Sequence, residues 1–174
     1  MRRTSLILLA LMMASCSGNE RQPDRQPNVA ETREMLQRIN KALVQQDREQ
    51  ILDYIKRNNL VEMNESHTGL FYHISGTSNG PKVRKGDVVE YSYRVSLLDG
   101  TTCYQSKADT PATFEVGHGG VVSGLEEGIL LMRQGQSAKF IMPPHLAYGL
   151  IGDSKQIPAR SIVIYDVELL AVYR

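Results

Sequence analysis

From Val88 to Leu97 the chain reads VVEYSYRVSL, with Val89, Tyr91, Tyr93, Val95 and Leu97 on one parity and Glu90, Ser92, Arg94 and Ser96 on the other. Successive side chains of a strand point to opposite faces, so this segment is a half-buried strand with one wet face. Asp99-Gly100 directly behind it supplies a tight turn. The same texture runs through "GLFYHI" from Gly69, "ATFEVG" from Ala112, "SAKFIMP" from Ser137 and the long apolar "RSIVIYDVELLAVYR" from Arg160. "TSNGPKVRKGD" is dense in turn residues. One helix interrupts the strands. In "SGLEEGILLMRQG", Ser123 and Glu126 fit a capping box, Gly135 fits a stop, and Leu125, Ile129 and Met132 form one apolar face. The pattern predicts an α+β fold in which about five antiparallel strands wrap on one short helix.

Upstream the texture is different. Arg2 and Arg3, the apolar run Leu6 to Met13 and then Ala14-Ser15-Cys16 follow the plan of an export signal. The run is far short of the roughly 20 residues that span a bilayer. "LMMASC" resembles the bacterial lipobox, in which the cysteine is acylated and becomes the mature terminus; Met13 stands where Leu is most usual. Residues 1–15 are therefore expected to be a lipoprotein signal, with Cys16 holding the chain to a membrane by its lipid. Ser17, in place of an aspartate, leans towards the outer membrane. Residues 16–28, polar and with two prolines from Ser17 onward, form a disordered tether. Its span is roughly 20 Å.

Residues 29–60 turn helical, with Leu36, Ile39 and Leu43 at i, i+3 and i+7, then Ile51, Leu52 and Ile55. Asn28 with Glu31, and Asp47 with Gln50, both fit capping boxes, which predicts two helices broken near Gln46. This helical arm could serve self-association or partner binding; the narrow stripe favours packing on its own domain or a spacer. Residues 69–174 are expected to form the folded domain that follows. One domain with appendages suits a chain of 174 residues. A net charge of +1 gives no concentrated basic face for nucleic acid.

Chemistry is harder to find. His67, His73, His118 and His145 show no metal-ligand spacing. "GHGGVVSG" lacks the ending of a phosphate loop, and Glu126 with Glu127 sit where the first turn of a helix favours carboxylates. No serine, histidine and aspartate grouping is suggested. An enzyme built from this sequence would need no charged catalyst, no metal and no cofactor. Nothing near Cys103 marks it as a nucleophile, and Cys16, its one potential partner in the chain, is expected to carry lipid.

"KGDVVEYSYRVSLLDG", "VVSGLEEGILLMRQGQSAKFIMPPHLAYG" and "IVIYDVELL" together resemble the FKBP family of peptidyl-prolyl cis-trans isomerases, in order and in spacing. The resemblance covers roughly residues 69 to 173. It implies an FKBP-like antiparallel sheet on one helix, Pro-containing polypeptide substrates, and a site that works without acid, base or metal. Carried over by position, the cup would contain Tyr93, Val121, Val122, Leu125, Tyr148, Ile157 and Tyr165. Of these, Tyr93, Val122, Tyr148 and Tyr165 are the expected catalytic positions. The family's backbone N–H at Val122 binds the carbonyl beyond the proline, and the hydroxyl at Tyr148 makes a second hydrogen bond.

The chain departs from the family at three places that would also line the cup. Cys103 and Tyr104 stand where Phe-Asp is usual, and Ala112 where another aromatic is common. The departures imply a wider and less polar cup. The implied function is an exported, lipid-anchored isomerase that helps proteins fold outside the cytoplasm. The alternative is a chaperone or assembly module of the same fold with weak turnover.

Overall fold

The computed structural model describes residues 28–107 and 109–174; the expected signal, the tether and Cys16 lie outside the described residues. Contacts divide the chain into two compact units, Met1–Arg38 and Ile39–Arg174. Of the first, the described part is Asn28 and the start of helix α1 (Val29–Arg57). Asn28 caps it as expected: its Oδ1 accepts from Glu31 N–H at 2.9 Å, and Glu31 Oε2 accepts from Asn28 N–H at 3.2 Å.

The second unit is built on one antiparallel sheet. Its strands are β1 (Asn64–Glu65), β2 (Phe71–Ser75), β3 (Val88–Leu97), β4 (Thr102–Gln105), β5 (Ala112–Glu115), β6 (Ser137–Met142) and β7 (Val163–Tyr173). The spatial order is β1-β2-β6-β7-β3-β4, and β5 also pairs with β3. One edge of β3 runs along β7 for its whole length, from Val88↔Tyr173 to Leu97↔Val163, with a bulge at Glu90/Tyr91. The other edge is shared, β5 taking Val88 to Tyr91 and β4 taking Arg94 to Ser96. The sheet has seven strands where about five were expected. Two-residue β1 is too short to carry a period, and β4 returns from the Asp99-Gly100 hairpin with only four residues.

The alternation in β3 is realised. Val89, Tyr91 and Val95 are buried while Val88 and Arg94 are exposed. The dry face is covered by helix α2 (Ser123–Leu131), whose Leu125 and Ile129, with Met132 beyond its end, are buried as their spacing predicts. Gly128 sets how closely the helix lies on β6: a Cβ there would stand 2.6 Å from Phe140 Cζ. Two expectations fail locally. Ser123 makes no capping bond; its hydroxyl donates to Leu146 O at 3.3 Å, and the Glu126 carboxylate accepts from Gly117 N–H. The helix also stops at Leu131, before Gly135, because Met132 turns extended into a tight turn closed by Gln136 Oε1 accepting from Arg133 N–H at 2.7 Å.

Behind the sheet lies a second, smaller core. Ile51, buried in α1, packs with Phe71, Ile141, Ile162 and Ile164, flanked by Tyr54, Ile55, Leu60 and Met63. Each fully buried side chain of this size contributes about 1.5 to 3 kcal/mol. The expected break near Gln46 does not occur, and α1 runs without interruption. Asp47 looks like a cap in sequence, yet its carboxylate accepts from the Arg160 guanidinium at 2.6 Å and is 5% exposed. Arg48 adds two bonds of 2.7 Å to the Glu65 carboxylate.

Candidate active site

All ten residues expected to line a cup meet in the apolar cluster between the sheet and α2. Cys103, Leu125, Ile157 and Tyr165 are buried members, and Tyr93, Tyr104, Ala112, Val121, Val122 and Tyr148 pack against them half-buried. Each arrives by a different route. The alternation of β3 aims Tyr93 inward beside Tyr91, ring centroids 5.7 Å apart. Tyr165, on the neighbouring β7, stacks on Tyr93 at 6.2 Å. The loop after the short 3-10 turn Pro144–Leu146 brings Tyr148 over, so that its hydroxyl lies 3.0 Å from that of Tyr165. Leu125 enters from the first turn of α2, and Ile157 from the loop before β7.

At the mouth of α2, Val122 is extended, with φ −65° and ψ 144°, and its carbonyl accepts from Leu125 and Glu126 N–H. Its own N–H meets no acceptor among the described residues. A free donor at the head of a helix and beside an apolar cup suits a carbonyl ligand.

Burial keeps the phenols protonated. Tyr91 is pushed up to about 12, first by burial. Burial also raises Tyr148 and carries Tyr165 far above the usual tyrosine range, with the Tyr148 bond adding to it. Cys103 is likewise raised, by burial first and then by the Asp153 and Asp99 charges, so it stays a thiol; its Sγ lies 3.5 Å from Gln156 O. A buried thiol held neutral is packing, not a nucleophile.

One polar residue of the site had no signal in the sequence. The Tyr104 hydroxyl donates to Asp153 Oδ2 in the loop ahead of β7. Asp153 Oδ1 accepts from Lys155 N–H at 2.9 Å and Ile157 N–H at 2.8 Å. The Tyr104 bond first, then the backbone N–H groups, hold this carboxyl at about 2. The residues at 103, 104 and 112 were expected to leave the cup wider and less polar; beside Tyr104 the structure holds a carboxylate all the same. It stands at the edge of the cup, carried by the loop rather than by β4. Aspartate in "GDSK" reads as an ordinary turn former, and the one available hint was that a half-buried phenol at 104 needs an acceptor.

Comparison with known proteins matches this assembly. The family model for FKBP-type peptidyl-prolyl cis-trans isomerases matches residues 80–170. The chain belongs to the FKBP family. By family it is an enzyme of the peptidyl-prolyl cis-trans isomerase class. FK506-binding protein 2 of Yarrowia lipolytica is 39% identical over 105 residues, which are 60% of this chain and 73% of that protein. FKBP-type peptidyl-prolyl cis-trans isomerase FkpA of Aeromonas hydrophila is 38% identical over 109 residues, 62% of this chain but only 39% of that protein. The crystal structure of FkpA from Escherichia coli superposes with a TM-score of 0.61 at 27% identity, covering 85% of this chain and 74% of that one. In this FKBP the Tyr104 hydroxyl finds its acceptor in the loop ahead of β7, at Asp153.

Proposed function

We propose that this FKBP isomerises X-Pro bonds of polypeptides in the cup formed by Tyr93, Val121, Val122, Leu125, Tyr148, Ile157 and Tyr165. The observation that carries the reading is two donors left without an acceptor among the described residues at one apolar cluster: the Val122 N–H and one proton of the Tyr148–Tyr165 pair. An X-Pro amide is held planar by resonance, with a barrier of roughly 18 to 20 kcal/mol. An apolar wall disfavours the charge-separated planar form, and fixed donors hold the twisted one, so the transition state is bound better than the ground state. No proton needs to leave the protein, which agrees with phenols that remain neutral far above pH 7.

The placement in the cell belongs to the same reading. Residues 1–15 are an export signal, Cys16 carries the lipid, residues 16–28 are the tether, residues 29–60 the arm and residues 69–174 the isomerase domain. No helix among the described residues is long and apolar enough to cross a membrane; in this reading the lipid on Cys16 makes the attachment. The protein then works outside the cytoplasm, at the outer membrane, on envelope proteins. Self-association through the arm is supported by Leu36 and Ile39, 55% and 42% exposed on α1.

Weak turnover with chaperone-like binding is the second reading, favoured by Ala112, which leaves one wall without its aromatic. A cis-to-trans assay on a short X-Pro peptide, with the chain from Val29 onward, separates the two. Rates above background that scale with protein concentration are expected; background rates at high concentration would leave the binding module. Cys16→Ser is expected to move the protein from the membrane to the soluble fraction, and retention would sink the lipid anchor.

A further inference from the structure

The segment from Gly149 to Ser161 lies outside helix and strand, yet it delivers Ile157 to the cup with 2% exposure and flanks Tyr148. A loop this long carries a large ordering entropy, so something must hold it. At its base, Arg160 N–H donates to Gly149 O at 3.2 Å. At its turn, Asp153 N–H donates to Ile157 O at 3.1 Å. The Asp153 Oδ1 collects the N–H groups of Lys155 and Ile157. Gly152, at φ +72°, lets the two arms close, since a Cβ there would stand 2.2 Å from Ile157 O. The remaining oxygen of Asp153 faces β4 and takes the Tyr104 proton, while Cys103 Sγ reaches Gln156 O at 3.5 Å. Two consecutive residues of β4 thus hold two points of one loop.

We propose that Asp153 is a positioning residue for the cup: latched by Tyr104, it fixes the loop so that Ile157 closes the cup wall and Tyr148 keeps its hydroxyl at the rim. The inference rests on the reading of the cup as the substrate site. The substitutions at 103 and 104 are then not erosion. Tyr104 is long enough to reach the loop and brings a donor, and Asp153 supplies the matching acceptor, so both ends of the bond are specific to this pairing. Removing either end loosens the cup before substrate arrives, and the cost falls on binding. A carboxylate held ionised by that bond strengthens the latch, because hydrogen bonds to charged acceptors are the strong ones.

Three variants of the full chain, Tyr104→Phe, Asp153→Ala and the two combined, test the latch by trypsin cleavage after Lys155 and by kcat and KM on an X-Pro peptide. Tyr104→Phe is expected to speed the Lys155 cut by about tenfold, the size of one charge-assisted hydrogen bond, and Asp153→Ala by more, because it also removes the acceptor of the Lys155 and Ile157 N–H groups. KM is expected to rise several-fold with kcat nearly kept. Because both act on one bond, the double variant should match the worse single one. Asp153→Asn keeps the shape and one acceptor oxygen for the Lys155 and Ile157 N–H groups but turns an uncharged NH2 towards Tyr104, so it should recover only part of the protection. Unchanged cleavage in Tyr104→Phe, or singles that multiply in the double variant, overturn the latch. Faster cleavage in a chain that shows no isomerisation supports the latch and removes the enzyme reading instead.

Discussion

Between the hydroxyls of Tyr148 and Tyr165, 3.0 Å apart, there is room for one proton, and the pair owns two. Tyr165 is 5% exposed and has no other acceptor among the described residues, so its proton belongs in the bond. The proton of Tyr148, on the half-buried rim, is then left for a substrate carbonyl. The directions of the two shifts agree, since the shared bond raises Tyr165, the donor, and works against the rise at Tyr148, the acceptor. Tyr148→Phe should therefore lower kcat/KM by about tenfold and cost about 1 to 2 kcal/mol of stability, because the buried Tyr165 hydroxyl loses its acceptor. Tyr165→Phe should cost activity less and stability little. Equal losses in both, measured by peptide kinetics and thermal melts, would reverse the donor assignment. These tyrosines were legible in the sequence because motif and alternation fix them locally. Asp153 was not, since its partner sits 49 residues away and turn chemistry explains an aspartate there equally well.

At the level of elements, the strands were read from their period, and the errors came where a local rule met a distant partner. Asp47 with Gln50 has the spacing of a capping box, and what decides its role is Arg160, 113 residues on. Ser123 and Glu126 likewise have the spacing and bond elsewhere. The consequence is largest for α1. A stretch expected as two helices packed on their own domain or serving as a spacer is one helix, and its later turns are built into the second core, where Ile51 is fully buried against β2, β6 and β7. Ile51→Ala should cost about 2 to 4 kcal/mol by the cavity it leaves. Leu36→Ala, on an exposed stretch of the same helix, should change stability by less than about 0.5 kcal/mol. Denaturant melts of the two variants check this, and a silent Ile51→Ala would return the whole helix to the role of a spacer.

For the molecule as a whole, the dry face of the sheet carries the larger core, and with no tryptophan in the chain that core buries Tyr91 and Tyr165. Phenols pack well, but they make stability depend on alkaline pH. Tyr91 is raised to about 12, Tyr148 and Tyr165 are raised with it, and burial is the first cause in each. A group whose folded value lies above its unfolded value favours the fold at low pH and weakens it as pH rises. The unfolded chain releases these protons from about pH 10, while the fold keeps them, so stability falls from there until Tyr91 ionises near 12. Each tenfold difference in proton affinity between fold and unfolded chain is worth about 1.4 kcal/mol, which gives Tyr91 roughly 2 to 3 kcal/mol across that window. Asp153 acts at the other end with the opposite sign: held at about 2, it supports the fold above the ordinary carboxylate range and is lost as pH falls towards 2. Melting temperature should therefore be insensitive to these groups near neutrality and drop steeply above pH 10. Tyr91→Phe should flatten the alkaline limb while leaving the neutral value within a few degrees, since it removes the titrating group and keeps the ring against Phe114. An alkaline limb that is equally steep in this variant would move the dependence away from Tyr91.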